Sequence, residues 1–183
     1  FRLLLDVAQK GPSMSNASSV VSPIFEGFSA EEYESALALL EQRSYAKGDV
    51  ILTEGKSEQA LWILVKGTCE VVKKNKTEHT LATLDAGSAF GEMSFLQKAP
   101  HSATVRASTP VKVLRMTREC YEQLHTRNPT AAYKITQIVV SLMAQRLRRM
   151  DEWICDLVER PDGADHREEW HDFRAKLYSG WPF

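Results

Sequence analysis

The stretch that most constrains this chain is Ala89–Ala107, AFGEMSFLQKAPHSATVRA. It opens on an aromatic, a glycine and an acid: Phe90, Gly91, Glu92. A short apolar segment from Met93 to Leu96 follows, then Ala99-Pro100, and Ser102-Ala103-Thr104-Val105 reads as the beginning of a strand. Gly91 permits a tight turn with close backbone approach. Glu92 falls at the start of a helical turn, where free N–H groups and the helix dipole favour anions. A loop, a helix start and a second loop of small residues together suit a phosphate. The carboxylate beside them suits a sugar hydroxyl.

The flanks say what carries this stretch. Ser22-Pro23-Ile24-Phe25 reads as domain entry, and Ser29 with Glu32 three residues on is a capping-box pattern that starts a helix. Tyr33, Leu37 and Leu40 then give one apolar face, which predicts helix through Gln42. From Arg43 the period changes. Gly48-Asp49 and Glu54-Gly55 bracket Val50–Leu52, and Lys66-Gly67 separates strands at Leu61–Val65 and Thr68–Lys73. A hairpin tip at Lys74–Lys76, centred on Asn75, leads to Thr80–Leu84, and Val111–Met116 follows the central stretch. Short strands at regular spacing with glycine turns predict a roll or sandwich. A metal-binding jelly-roll enzyme shares that rhythm but needs a His/Glu cluster on the strands, and His79 is the only histidine before residue 101. Phe90 and Met93 read as core.

Helical period returns at Thr117, a suitable N-cap, with Tyr121 and Leu124 facing inward, and Asn128-Pro129 breaks the chain before a long helix from Thr130 to about Val158. In it Val140, Met143, Leu147, Met150, Ile154 and Leu157 form a heptad seam, with Ile135, Val139 and Leu142 on a second face. One face can pack on the roll. The other is expected to pair with a second copy or a partner domain, unless the chain itself covers it.

The central stretch resembles the phosphate-binding cassette of cyclic-nucleotide-binding domains, the family of catabolite activators and protein kinase A regulatory subunits. Phe90-Gly91-Glu92, Pro100 and Ser102-Ala103-Thr104-Val105 match its pattern, and His101 stands where the family has Arg. The resemblance covers roughly Ser22 to Val158. It implies a mainly β fold, a jelly-roll-like β-roll with an N-terminal helix and a long C-terminal helix that moves when ligand binds. It also implies a regulatory module for cyclic AMP or cyclic GMP, with no enzyme activity and no cofactor. The implied ligand site is Gly91, Glu92, Met93, Ser94, His101, Ser102, Ala103 and Thr104. In this family the acid of Phe-Gly-Glu takes the ribose 2′-hydroxyl, the place of Glu92. Ser102 stands where a hydroxyl reaches the phosphate or a guanine, and Ala103 is small enough for close approach.

His101 weakens that expectation. Arg brings a permanent charge in a planar fork, whereas His is mostly neutral near pH 7. Losing a charge-assisted phosphate contact costs about a hundredfold or more in affinity. Arg106 shares a strand face with Thr104 and not Val105, so it is expected to face solvent. The alternative is a degenerate domain that keeps the fold and works as a dimerisation or interaction scaffold.

Composition trims the remaining classes. The net charge of -1 supplies no field toward nucleic acid or an anionic membrane. No apolar run is long enough to span a bilayer. The residues after 158 are too few for a winged helix, so DNA binding is not expected. The three cysteines, Cys69, Cys120 and Cys155, show no metal spacing and fit a reducing, cytoplasmic setting. Residues 1–21 read as a short helical piece and a linker, 22–158 as the domain, and 159–183 as an aromatic tail. In that tail His166, Glu169, His171 and Asp172 fit no standard metal site. A chain that begins on Phe1 is expected to be a fragment of something longer.

Overall fold

The computed structural model describes residues 24–74 and 77–159, the last three as backbone only. The expected N-terminal piece and linker, the hairpin tip at Asn75 and the tail beyond 159 lie outside the described residues. The elements are α1 (Ala30–Leu37), β1 (Glu41–Tyr45), β2 (Val50–Leu52), β3 (Ala60–Lys66), β4 (Cys69–Lys74), β5 (Glu78–Leu84) and β6 (Ala89–Phe90). After these come α2 (Glu92–Leu96), β7 (Thr104–Ala107), β8 (Val111–Thr117), α3 (Arg118–Arg127) and α4 (Pro129–Glu159).

The strands form two four-stranded antiparallel sheets, ordered β1-β8-β3-β6 and β2-β7-β4-β5. Both sheets contribute to one core. Ile51, Leu52, Cys69, Val105 and Ala107 meet Trp62, Leu64, Phe90, Val111 and Val113 there. The alternation along β7 shows how: Val105 and Ala107 are buried, while Thr104 and Arg106 lie on the other face, half-buried. The mainly β roll with flanking helices is therefore the observed architecture.

The helices are tied down by polar contacts the sequence announces. Ser29 and Glu32 form the capping box: the Ser29 N–H donates to Glu32 Oε2 at 2.7 Å and the Glu32 N–H to Ser29 Oγ at 3.2 Å. Glu32 also accepts from Lys134 Nζ of α4 at 2.6 Å. The hydrogen bond from Lys134 and those from Ser29 hold its carboxyl below the usual range, against the cost of burial. Thr117 caps α3 through its hydroxyl, which accepts from the Cys120 N–H at 3.1 Å. Asn128 caps α4 with its side-chain Oδ1, which accepts from the Ala131 N–H at 3.1 Å.

One expectation fails at α1, which ends at Leu37 and does not run to Gln42. Ala38 caps it, Leu39 and Leu40 make a further turn on Ala36 and Leu37, and the chain leaves as β1 with Glu41 opposite Arg115. Pairing with β8 wins over a local apolar period. β6 was not foreseen either: two residues, opposite Trp62 and Ile63, are too few to show a period.

The chain divides into two compact units between Val139 and Val140, within α4. In the first, Ala131, Ala132, Ile135 and Val139 are fully buried along one face of the helix. In the second, Val140, Leu147, Met150 and Trp153 are exposed, Trp153 at 62%. Among the described residues no helix is long and apolar enough to cross a membrane.

Candidate functional site

The first half of the cassette is built on β3. Phe90 lies opposite Trp62 in the ladder, and their rings stack at 6.3 Å and 7°. Gly91 then takes φ +78°, and a Cβ there would come within 2.7 Å of the Ala60 carbonyl oxygen and 3.0 Å of Trp62 Cδ1. Only glycine offers both the left-handed backbone and that closeness. The turn starts α2, in which the Phe95 N–H and Ser94 Oγ both donate to the Gly91 carbonyl, at 3.0 and 3.1 Å. Glu92 is buried at 6% exposure on this turn. Phe95 is fully buried and meets the Tyr121 ring of α3 edge-on at 5.5 Å. Tyr121 Oη in turn lies 2.6 Å from Thr136 Oγ1 on α4. Contact is therefore continuous from the cassette helix to the first turns of the long helix.

Met93 departs from its core reading: it is 52% exposed. A five-residue helix packed through Phe95 cannot also bury a side chain two positions earlier, on its far side. Ser102 Oγ lies 3.8 Å from Met93 Sδ, so this exposed thioether meets the other half of the cassette.

The second half is anchored by residue 101. The His101 N–H donates to the Lys56 carbonyl at 2.8 Å, and the Gly55 N–H donates to the His101 carbonyl at 2.9 Å. The ring turns inward, 7% exposed, with Nδ1 2.8 Å from Ser94 Oγ. Ser94 has one hydroxyl proton. With that proton on the Gly91 carbonyl, its oxygen accepts from Nδ1–H, and Nε2 is left as an acceptor. Burial pushes the His101 pKa below its ordinary value, with the Glu58 charge opposing. His101 is therefore a strut between 91–94 and 101–104, held through Ser94.

After it the chain opens to solvent. Ser102 is exposed, and Ala103 and Thr104 are half-buried. The Thr104 hydroxyl accepts from the Glu54 N–H at 3.0 Å, while Ser102 accepts from Lys73 Nζ at its carbonyl, at 2.7 Å. Lys73 also faces Glu54 Oε1 at 3.3 Å. Arg106 has no part in this: it is held by Glu70 at 2.7 Å and Glu78 at 2.8 Å on the outer face of its sheet. The fold thus joins 91–94 to 101–104 through Ser94–His101 and Met93–Ser102. Lys73 and Glu54 were not singled out from the sequence, because their place beside residue 102 depends on the β4–β7 pairing.

A two-sheet roll interrupted by a glycine-led helical turn and closed by helices defines the class. The sequence model of the family described as cyclic nucleotide-binding domain matches residues 42–128, and that segment is a domain of this family. The chain is 35% identical over 132 residues to the cyclic AMP receptor protein of Thermus thermophilus, covering 71% of this chain and 59% of that protein. It is 29% identical over 125 residues to the cAMP-dependent protein kinase regulatory subunit of Blastocladiella emersonii, over 67% of this chain and 31% of that one. Among solved structures, a cyclic nucleotide-binding domain from Methylobacillus flagellatus superposes with a TM-score of 0.70 at 26% identity, over 75% of this chain and 81% of that chain. The chain therefore spans about three fifths of the Thermus protein and under a third of the kinase subunit. The family is regulatory and not catalytic.

Proposed function

We propose that this chain is a cyclic-nucleotide-sensing regulatory module of low affinity, whose ligand is cyclic AMP or cyclic GMP. Glu92 takes the ribose hydroxyl, and Gly91, Met93 and Ser94 form the wall beneath it. Ser102, Ala103 and Thr104 form the phosphate side. The observation that carries the reading is the Ser94–His101 bond, which keeps the two halves of the cassette together without an arginine. Because His101 is buried and neutral, it lends the phosphate little charge, so affinity falls below that of an arginine cassette by about a hundredfold. The response passes to the long helix along Phe95, Tyr121 and Thr136, a ligand-favoured helix position being selected from those available. Calorimetric titration with cyclic AMP and cyclic GMP at pH 6 and pH 8 tests this. Micromolar binding, tighter at pH 6, supports it, and absence of heat at both pH values rejects it.

A second reading, a scaffold that has lost its ligand, is favoured by the same neutral His101 and by the exposed Val140, Leu147, Met150 and Trp153 on α4. In either reading we assign the second half of α4 to pairing with another copy of the chain. Sedimentation of wild type and Trp153→Glu at equal concentration checks it: the variant is expected to sediment as a smaller species. The setting we infer is cytoplasmic, in keeping with Cys69, Cys120 and Cys155 being free thiols. DNA contact forms no part of the proposal.

A further inference from the structure

His101 is buried and turned inward on Ser94, yet a cation does reach the open loop. It comes from the neighbouring strand. In the β4–β7 ladder Glu70 lies opposite Arg106, Val71 opposite Val105 and Val72 opposite Thr104. Residues opposite one another share a face, and faces alternate along a strand. Val105 is in the core and Val71 packs against it, but Val72 is buried too and the β4–β5 register shifts between them, so Lys73 is placed by its contacts and not by alternation. It stands where the ladder has ended and β7 has given way to the loop His101–Ala103. Its Nζ donates to the Ser102 carbonyl at 2.7 Å and faces Glu54 Oε1 at 3.3 Å. Its side chain keeps 38% of its exposure, so solvent and solutes reach it.

We propose that Lys73 is the standing cation of this cassette: near pH 7 an anionic phosphodiester ligand at the 101–104 loop is met by the Lys73 ammonium rather than by a charge on residue 101. An ammonium has three donors on a flexible stem, and two are committed here, one of them to a carboxylate at the long end of the ion-pair range. Glu54 is the competitor. Its Oε2 accepts from the Lys74 N–H at 3.1 Å, and this bond, together with Lys73, holds its carboxyl below the usual range and therefore ionised. A phosphate drawing Lys73 away from Glu54 leaves that carboxylate still satisfied by the backbone of β4. The site thus carries a charge on loan from an internal pair, which makes it weaker than a dedicated arginine. The inference rests on the nucleotide-binding reading above and deepens it.

Opposite signs are expected for the two partners. In titrations of cyclic AMP and cyclic GMP into the full chain, Lys73→Gln weakens binding roughly tenfold or more, Lys73→Arg restores most of it, and Glu54→Gln tightens it severalfold. Thermal melting of each variant reports its fold. Equal affinity of Lys73→Gln and wild type overturns the inference and leaves the binding reading standing. Weakening by both Lys73→Gln and Glu54→Gln also overturns it, because the pair then serves only to shape the loop. Should wild type show no heat, the binding reading fails, and the comparison moves to His101→Arg with and without Lys73→Gln. A tenfold loss there upholds Lys73 as the phosphate's cation. Equal affinity, or silence from both, overturns it.

Discussion

The two halves of the cassette are held in opposite ways. The first half, from Phe90 to Leu96, is fixed by packing: Gly91 presses on the Ala60 carbonyl, Phe90 stacks on Trp62, and Phe95 is 1% exposed against Tyr121. The second half, His101 to Thr104, is fixed by hydrogen bonds with Lys56, Gly55, Ser94, Glu54 and Lys73. A packed half tolerates no change of volume but is indifferent to pH and salt. A hydrogen-bonded half tolerates changes of shape, and its charge state decides what it binds. The domain therefore separates a part held by packing from a part held by hydrogen bonds.

The largest expected break is in the packed half. Phe95→Ala removes a fully buried ring and is expected to cost about 3–5 kcal/mol of unfolding free energy, read by urea denaturation. Gly91→Ala follows, at about 3 kcal/mol, the sum of a left-handed backbone penalty and an overlap with a backbone oxygen that cannot move away. Gly55→Ala is its control. Gly55 also has φ +78°, yet a Cβ there meets nothing within 4 Å. It should lose only the backbone share, about 1–2 kcal/mol. Equal losses at Gly91 and Gly55 would show that closeness to β3 is not what fixes the turn.

In the hydrogen-bonded half the effect moves from stability to affinity. His101→Arg is expected to strengthen cyclic nucleotide binding about a hundredfold, because a charged fork on a longer stem replaces a neutral ring. The same change removes the strut to Ser94, so melting should fall slightly while affinity rises. A variant that melts lower and gains no affinity would mean that residue 101 does not face the ligand at all.

This contrast also explains what could be read before the structure. Gly91, Glu92, Phe90 and the Ser29 and Thr117 caps are local signals, each written within a few residues, and the capped helices and the glycine turn follow from them. The strands from Val50 to Leu84 declared themselves by turn residues. What stayed hidden is what depends on register. Lys73 touches Ser102 because β4 pairs with β7, and nothing near residue 73 in sequence says so. The length of α1 was misread for the same reason: Leu40 continues an apolar period, but Glu41 belongs to a partner strand far along the chain. Met93 reads as core in sequence, and a one-turn helix with Phe95 buried leaves it outside. The inward turn of His101 depends on Ser94, seven residues away, being buried at 2% exposure with a hydroxyl oxygen placed to accept.

The smallest effect tests whether His101 is a strut or a charge. Its pKa is lowered from 6.5 by burial, against the Glu58 charge, so the unfolded chain binds its proton more readily than the folded one. Stability from this group is then complete above about pH 6.5 and is lost as pH falls toward the depressed folded value. The carboxyls held low by cations and hydrogen bonds, at Glu32, Glu41, Glu54 and Glu119, lose their contributions only below about 4.5, so the two windows are separable. His101→Gln keeps an amide donor for Ser94 and removes the titration. Its melting temperature is expected to stay level between pH 7 and pH 5.5, where that of wild type declines. Affinity runs the other way, since a bound phosphate favours the protonated ring and binding tightens as pH falls. A neutral strut that protonates only beside an anion requires both slopes, with opposite signs, and requires both to vanish in His101→Gln. If only the stability slope vanishes and binding still tightens on acidification, the proton taken up with the ligand belongs to another group, and His101 serves the fold alone.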